Sequence, residues 1–182
     1  MVDDRIELKR QLRRQKKRRQ LNDFFLNCGL IVFSGLILFL IVNKLFFSVL
    51  TVKGQSMYPV YQDGDKVWVS RTRLRSKDLK HKDIIIFKGR DEDYYIKRII
   101  ARPGELVEIY DGKVYVNGSL FEETYLIDGY TQTYNQNRWY IDKDHFFVLG
   151  DNRENFGSID SRFFGTIDID QVRGKVIRKS IF

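Results

Sequence analysis

Apolar and polar residues change rhythm once along this chain. Residues 24–42 read F-F-L-N-C-G-L-I-V-F-S-G-L-I-L-F-L-I-V, with no charge and only Asn27 and Ser34 clearly polar. At about 1.5 Å per residue such a helix spans roughly 28 Å, close to the hydrocarbon thickness of a bilayer. This run predicts one membrane-spanning helix. A second short apolar stretch, Leu45 to Val52, either lies along the membrane interface or begins the first strand.

Beyond it the rhythm becomes that of β-structure. Val67-Trp68-Val69 follow the turn Asp63-Gly64, and Asp83 to Phe87 form a compact apolar run. Tyr94 to Ile100 is a longer strand that stops before Pro103-Gly104. Leu106 to Tyr110 and Lys113 to Val116 flank Asp111-Gly112, a pair favoured in two-residue hairpins. Phe146 to Leu149 and Gly174 to Ile181 complete the set. Residues 122–144 are rich in Tyr, Asn, Gln and Asp, lack periodicity, and are expected to form an elaborated surface connection. No long amphipathic helix is evident outside residues 1–50. Short strands with Gly-centred turns predict a mainly β domain of linked sheets behind one N-terminal transmembrane helix.

Charge sharpens this picture. The net charge is +8, and residues 1–23 hold nine Lys/Arg against four Asp/Glu, a balance of +5. A basic run such as Lys9 to Arg19 can bind nucleic acid. Beside an apolar span it is better read as the flank that keeps the N-terminus in the cytoplasm, with no nucleic-acid partner. A cleaved signal peptide has an apolar core of about 7–15 residues and a small-x-small site. Here the run is longer and is followed by Asn43-Lys44-Leu45-Phe46-Phe47, which predicts an uncleaved anchor in the plasma membrane. The expected organisation is a cytoplasmic tail over 1–23, an anchor over 24–44 and an extracytoplasmic catalytic β domain over 45–182. The lone Cys28 lies in the span and allows no disulfide within the chain.

Two segments carry candidate chemistry. In G-Q-S-M-Y-P (54–59), Ser56 lies on a bend between Gly54 and Pro59 that can leave backbone N–H groups free for an oxyanion. In Y-I-K-R-I-I-A-R-P-G-E (95–105), Lys97 shares a strand face with Tyr95 and Ile99. A serine needs a base to become a nucleophile. A lysine serves only when neutral, and burial can lower its pKa by several units. A third segment, G-D-N-R-E-N-F-G-S-I-D-S-R (150–162), concentrates acids, arginines and serines that can orient an amine. These residues point to a membrane-anchored serine hydrolase with a Ser56–Lys97 dyad. The bland alternatives are a turn serine, a snorkelling edge-strand lysine and a solvated loop. A Ser-His-Asp arrangement with His145 as base, flanked by Asp144, is a weaker alternative. With two histidines and no H-E-x-x-H or Cys/His cluster, no metal or other cofactor is expected.

Those three segments, together with G-D-K-V-W-V (64–69), occur in one order that resembles type I signal peptidases of bacteria, in the smaller Gram-positive form. The resemblance implies antiparallel sheets of the kind shared with SOS-repressor proteases. It also implies removal of N-terminal signal peptides from exported preproteins after Ala-x-Ala-like sites. By that resemblance Ser56 is the nucleophile and Lys97 the general base. Ser158 hydrogen-bonds the lysine amine, Asp160 and Arg162 form a supporting pair, and Asp151 partners Arg98. Gln55 and Met57 fall on the substrate and oxyanion side, with Met57 shaping the substrate pockets. Some members carry a serine where this chain has Gly54, which leaves the oxyanion to backbone donors. The segment from Arg153 to Ser158 is about two residues longer than the common pattern. Partners implied are preprotein signal peptides and the lipid bilayer. The alternative reading is a signal-peptidase-like protein of pilus assembly or secretion that binds rather than cleaves.

Overall fold

The computed structural model describes residues 2–72, 74–127, 129–154 and 157–180. The chain divides into two compact units, Met1–Leu45 and Phe46–Phe182. The first is built on helix α1 (Val2–Phe46), which carries the apolar run Phe24–Val42. This stretch is long and apolar enough to cross a membrane, and none of it is buried against protein. Ser34 fits the apolar run because its hydroxyl donates to the Ile31 carbonyl at 2.9 Å.

The second unit settles the reading of Leu45 to Val52 in favour of a strand. In chain order the strands are β1 (Phe47–Thr51), β2 (Lys66–Ser70), β3 (Ile84–Lys88), β4 (Tyr94–Ala101), β5 (Leu106–Tyr110) and β6 (Lys113–Val116). They continue with β7 (Ser119–Leu120), β8 (Arg138–Tyr140), β9 (His145–Leu149), β10 (Ile167–Asp168) and β11 (Val172–Lys179). A short helix, α2 (Ser161–Phe164), lies between β9 and β10. Among the described residues β1-β2-β11-β3-β4-β9-β10 form one antiparallel sheet and β7-β6-β5-β8 a second. The last strand starts two residues earlier than expected, and its expected end at Ile181 lies outside the described residues.

Strand β11 bridges β2 and β3 and is bulged at Val172/Gly174 and Val176/Arg178. Gly174 is required there: a Cβ would lie 2.5 Å from Val69 Cγ1 and 2.7 Å from the Ser70 carbonyl oxygen. Residues 122–144 are more than a surface connection. They supply β8, where Trp139 pairs with Val107, and they bury Trp139, Ile141 and Thr131. Three strand residues are too few to show a period, so the pattern missed them. Trp139 and Ile141 join Val107, Ile109, Phe147 and Leu149 in the core between the two sheets. At about 1.5–3 kcal/mol for each large buried side chain, this core ties the second sheet to β4 and β9.

Candidate active site

The bend that carries Ser56 is held at both ends. Strand β1 is closed off where Val52 N–H donates to the Asp65 carbonyl (2.7 Å) and Gly64 N–H to the Val52 carbonyl (2.9 Å). Gly54, at φ +81°, turns the chain, and its N–H donates to Asp63 Oδ1 at 2.7 Å. Tyr58 N–H closes back on the Gln55 carbonyl (3.0 Å) and Tyr61 N–H on Met57 (2.8 Å); the Tyr58–Pro59 peptide is cis. Met57, which the resemblance implies shapes the substrate pockets, lies fully buried against Val52, Tyr61, Val67, Val69 and Ile86, of which all but Tyr61 line the cleft. An apolar side chain on a turn lowers its free energy most by entering the core beneath it, and here it anchors the turn. Ser56 is left half-buried, and Gln55 is exposed on the cleft wall.

Lys97 comes to this bend from β4, paired opposite Ile85. It is 2% exposed, and its Nζ lies 2.7 Å from Ser56 Oγ. The Tyr95 ring is 5.7 Å from the same nitrogen. Burial pushes the amine pKa down to about 8; Asp160 and Asp151 pull it back up, and Arg162 pushes it down. At pH 7 roughly one-tenth of the amine is then neutral, where a solution lysine has almost none. At 2.7 Å the amine and the Ser56 hydroxyl are in direct hydrogen-bond contact. Holding the ammonium in this site costs about 3 kcal/mol, at 1.36 kcal/mol per pKa unit.

The 150–162 segment frames both groups. A Cβ on Gly150 would lie 2.4 Å from the Ser56 carbonyl oxygen and 2.2 Å from Ser158 Oγ, so only glycine allows this approach. Asn152 N–H donates to the Ser56 carbonyl (3.1 Å) and its side-chain amide to the Gln55 carbonyl (3.2 Å). Asp160 caps α2, accepts from Gly150 N–H at 3.1 Å, and receives a two-pronged contact from Arg162 at 2.8 Å on each oxygen. Arg98 forks onto Asp151 at 2.8 and 2.6 Å, also donates to the Lys82 carbonyl, and stacks 3.9 Å over the Tyr125 ring. Burial pushes the Asp151 carboxyl up, and the Arg98 fork opposes that shift.

Ser158 packs against Gly150, and its buried hydroxyl has no hydrogen-bond partner among the described residues. The bond to the Lys97 amine is therefore not made in this structure. Asn155 and Phe156, in the longer part of that segment, lie outside the described residues. His145 does not take the role of base. Its Nδ1 bonds the Lys143 carbonyl at 2.9 Å, its Nε2 is 3.8 Å from Asp168, and its neighbour Asp144 accepts from Ser76.

Two contributors escaped the sequence reading. One is Asn152, whose position in G-D-N-R was the available signal. The other is a buried cluster in which Arg153 donates to the Gly150 carbonyl (2.7 Å), Thr131 Oγ1 (2.6 Å) and Glu123 (2.5 and 3.1 Å). Glu123 lies in the stretch without periodicity, and nothing local marks it.

Beside Ser56 and Lys97 opens a cleft of about 1080 Å³. Val67, Val69, Ile86 and Ile96 line it, with Leu50 to Lys53, the end of β1 and the two residues after it, along one wall. An apolar cleft with an edge strand beside a serine and a neutral amine suits an extended peptide with small side chains.

Comparison with known proteins identifies the family. The family model described as signal peptidase, peptidase S26, matches residues 25–180. The chain is 38% identical over 162 residues to signal peptidase IB of Staphylococcus aureus (strain COL), covering 80% of this chain and 83% of that one. It is 32% identical over 170 residues to signal peptidase I T of Bacillus subtilis (strain 168), covering 88% and 87%. The solved signal peptidase I of Enterococcus faecalis V583 aligns at 34% identity with a TM-score of 0.48, over 55% of this chain and 97% of that one. With the family model spanning most of its length and curated relatives this similar, the chain belongs to the signal peptidase family, peptidase S26.

Proposed function

We propose that this protein is a membrane-bound serine endopeptidase that removes N-terminal signal peptides from exported preproteins after small-x-small sites. The observation that carries the reading is the 2.7 Å approach of a buried Lys97 amine to Ser56 Oγ at the edge of an apolar cleft. Neutral Lys97 takes the hydroxyl proton as Ser56 Oγ attacks the scissile carbonyl carbon. The Ser56 N–H, uncommitted to another partner among the described residues, stabilises the developing oxyanion. The ammonium then protonates the leaving amine, and an acyl-enzyme remains. Lys97, neutral again, draws a proton from water, whose attack releases the signal peptide as a free acid. Ser158 Oγ, buried and unpaired, is suited to accept a hydrogen from the amine during these transfers. Asp160–Arg162 and Arg98–Asp151 hold the frame.

In this reading the basic tail stays in the cytoplasm, residues 24–42 cross the bilayer, and the β domain lies outside. Enzyme and preprotein then share one membrane plane, which raises their effective concentration. The test uses the full chain in detergent with an Ala-x-Ala peptide, reading products by mass. Cleavage after the second small residue, abolished by Ser56→Ala and by Lys97→Ala, is expected. Cleavage that survives both substitutions overturns the dyad. Tight peptide binding by the parent with no cleavage favours a binding protein of pilus assembly or secretion.

A further inference from the structure

The cleft is apolar beside Ser56 but not at its other end. There Arg71, just past β2, and Arg173, at the start of β11, both line it with exposed side chains. Neither has a carboxylate partner among the described residues. Arg173 is steadied by its own loop, donating through Nη1 to the Asp170 and Val172 carbonyls at 2.6 and 3.3 Å. The two arginines lie close in register, because Lys175 pairs with Ser70 and the chain runs antiparallel from there. Among the described residues the acid on the cleft wall, Asp93, makes no ion pair with either. Lys53 adds a further positive charge along the rim.

Sheet register sets the distance. Ser70, Lys175, Ile85 and Lys97 form one row across β2, β11, β3 and β4. Three strand spacings are roughly 14 Å, or about four residues of extended peptide. Arg71 follows Ser70 directly. We propose that Arg71 and Arg173 form a carboxylate-binding subsite for the peptide substrate, which selects an Asp or Glu about four residues from the scissile bond. Paired guanidiniums present planar donor forks that match a carboxylate, and an apolar floor beside them lowers the local dielectric. Among the described residues Arg71 and Arg173 are the arginines that line the cleft, so its two ends read different side-chain chemistry.

This inference rests on the peptidase reading, and the test separates the two. Ala-x-Ala peptides carry Asp or Lys stepped through six positions on each side of the cleavage site, with the full chain in detergent. The parent is expected to favour Asp over Lys by roughly five-fold in kcat/KM at a position about four residues from the cut, as for an exposed ion pair. The preference falls in 0.5 M salt, as screening requires. Arg71→Glu with Arg173→Glu inverts it while cleavage of the neutral peptide is kept. Arg71→Gln alone, which disturbs no described hydrogen bond, reduces it and guards against misfolding of the double variant. Equal ranking of Asp and Lys peptides by parent and variants overturns the subsite. If the parent cleaves none of the peptides, the peptidase reading fails instead, and fluorescence anisotropy with the Ser56→Ala protein reads the same Asp-over-Lys preference in binding alone.

Discussion

Lys97 and Arg98 are neighbours on β4, project to opposite sides of the strand, and are both buried, yet each handles its charge differently. Arg98 meets Asp151 in a fork, donates to a carbonyl and stacks on Tyr125, so its positive charge is kept and matched. Among the described residues Lys97 has no carboxylate in salt-bridge contact, and its pKa drops until part of the population is neutral. A guanidinium cannot take the second route, because its pKa stays above about 12 in proteins. A lysine can take either. The side with ion pairs is framework, and the side with the lowered amine is where a proton can move.

The largest effect should come from forcing Lys97 to behave like its neighbour. Lys97→Arg keeps the charge and much of the volume but offers no neutral base. Peptide cleavage should fall by about a thousand-fold or more, as with Lys97→Ala. Substantial kcat/KM retained by the arginine variant would show that the amine is not the base. Next comes the opposite insult on the Arg98 side. Asp151→Asn leaves a buried guanidinium without its counter-charge and should cost about 3–5 kcal/mol by urea unfolding. Arg98→Met combined with Asp151→Leu should recover most of that stability, since neither charge is then stranded.

A smaller change tests the pH behaviour. The peptidase rate should rise with pH through about 8, where Lys97 loses its proton, and then level off. Asp160 raises the Lys97 pKa, so Asp160→Asn should move this limb to lower pH. A limb that stays in place argues against electrostatic contact between them. The smallest effect is a gain in stability. Because folding lowers the amine pKa, the penalty is fully present below about pH 8 and fades as pH rises toward 10.5. Lys97→Met should therefore raise unfolding stability at pH 7 by about 1–3 kcal/mol, an advantage that shrinks in alkaline buffer.

Much of the site was legible because its chemistry is local. A Gly-x-Ser bend, a lysine amid isoleucines and tyrosines, and a segment dense in acids and arginines are visible as short words, whereas the pairs Arg98–Asp151 and Arg162–Asp160 follow from the resemblance; the structure brings Ser56 to Lys97 and contains both pairs. Strands β3 to β6 and β9 followed from apolar runs and the Asp111-Gly112 turn. What escaped depends on contacts distant in sequence. Trp139 is buried through pairing with Val107, and Glu123 finds Arg153 across thirty residues. Met57 has its pocket role from the resemblance; backbone turn geometry, which no local pattern reveals, turns it inward against residues that line the cleft. Ser158 packs against Gly150 without its expected bond, and the segment before it is the one whose length departs from the common pattern.

Strand β11 carries neither reacting group, yet it sets their registration. The hairpin partners β1 and β2 join β3 and β4 in the sheet through this strand. The serine follows β1 and the lysine lies on β4, so a slip of residues 172–179 against either neighbour shifts one group past the other. The bulges in β11 are thus a remote control on the spacing of the two groups, exerted by residues that touch neither.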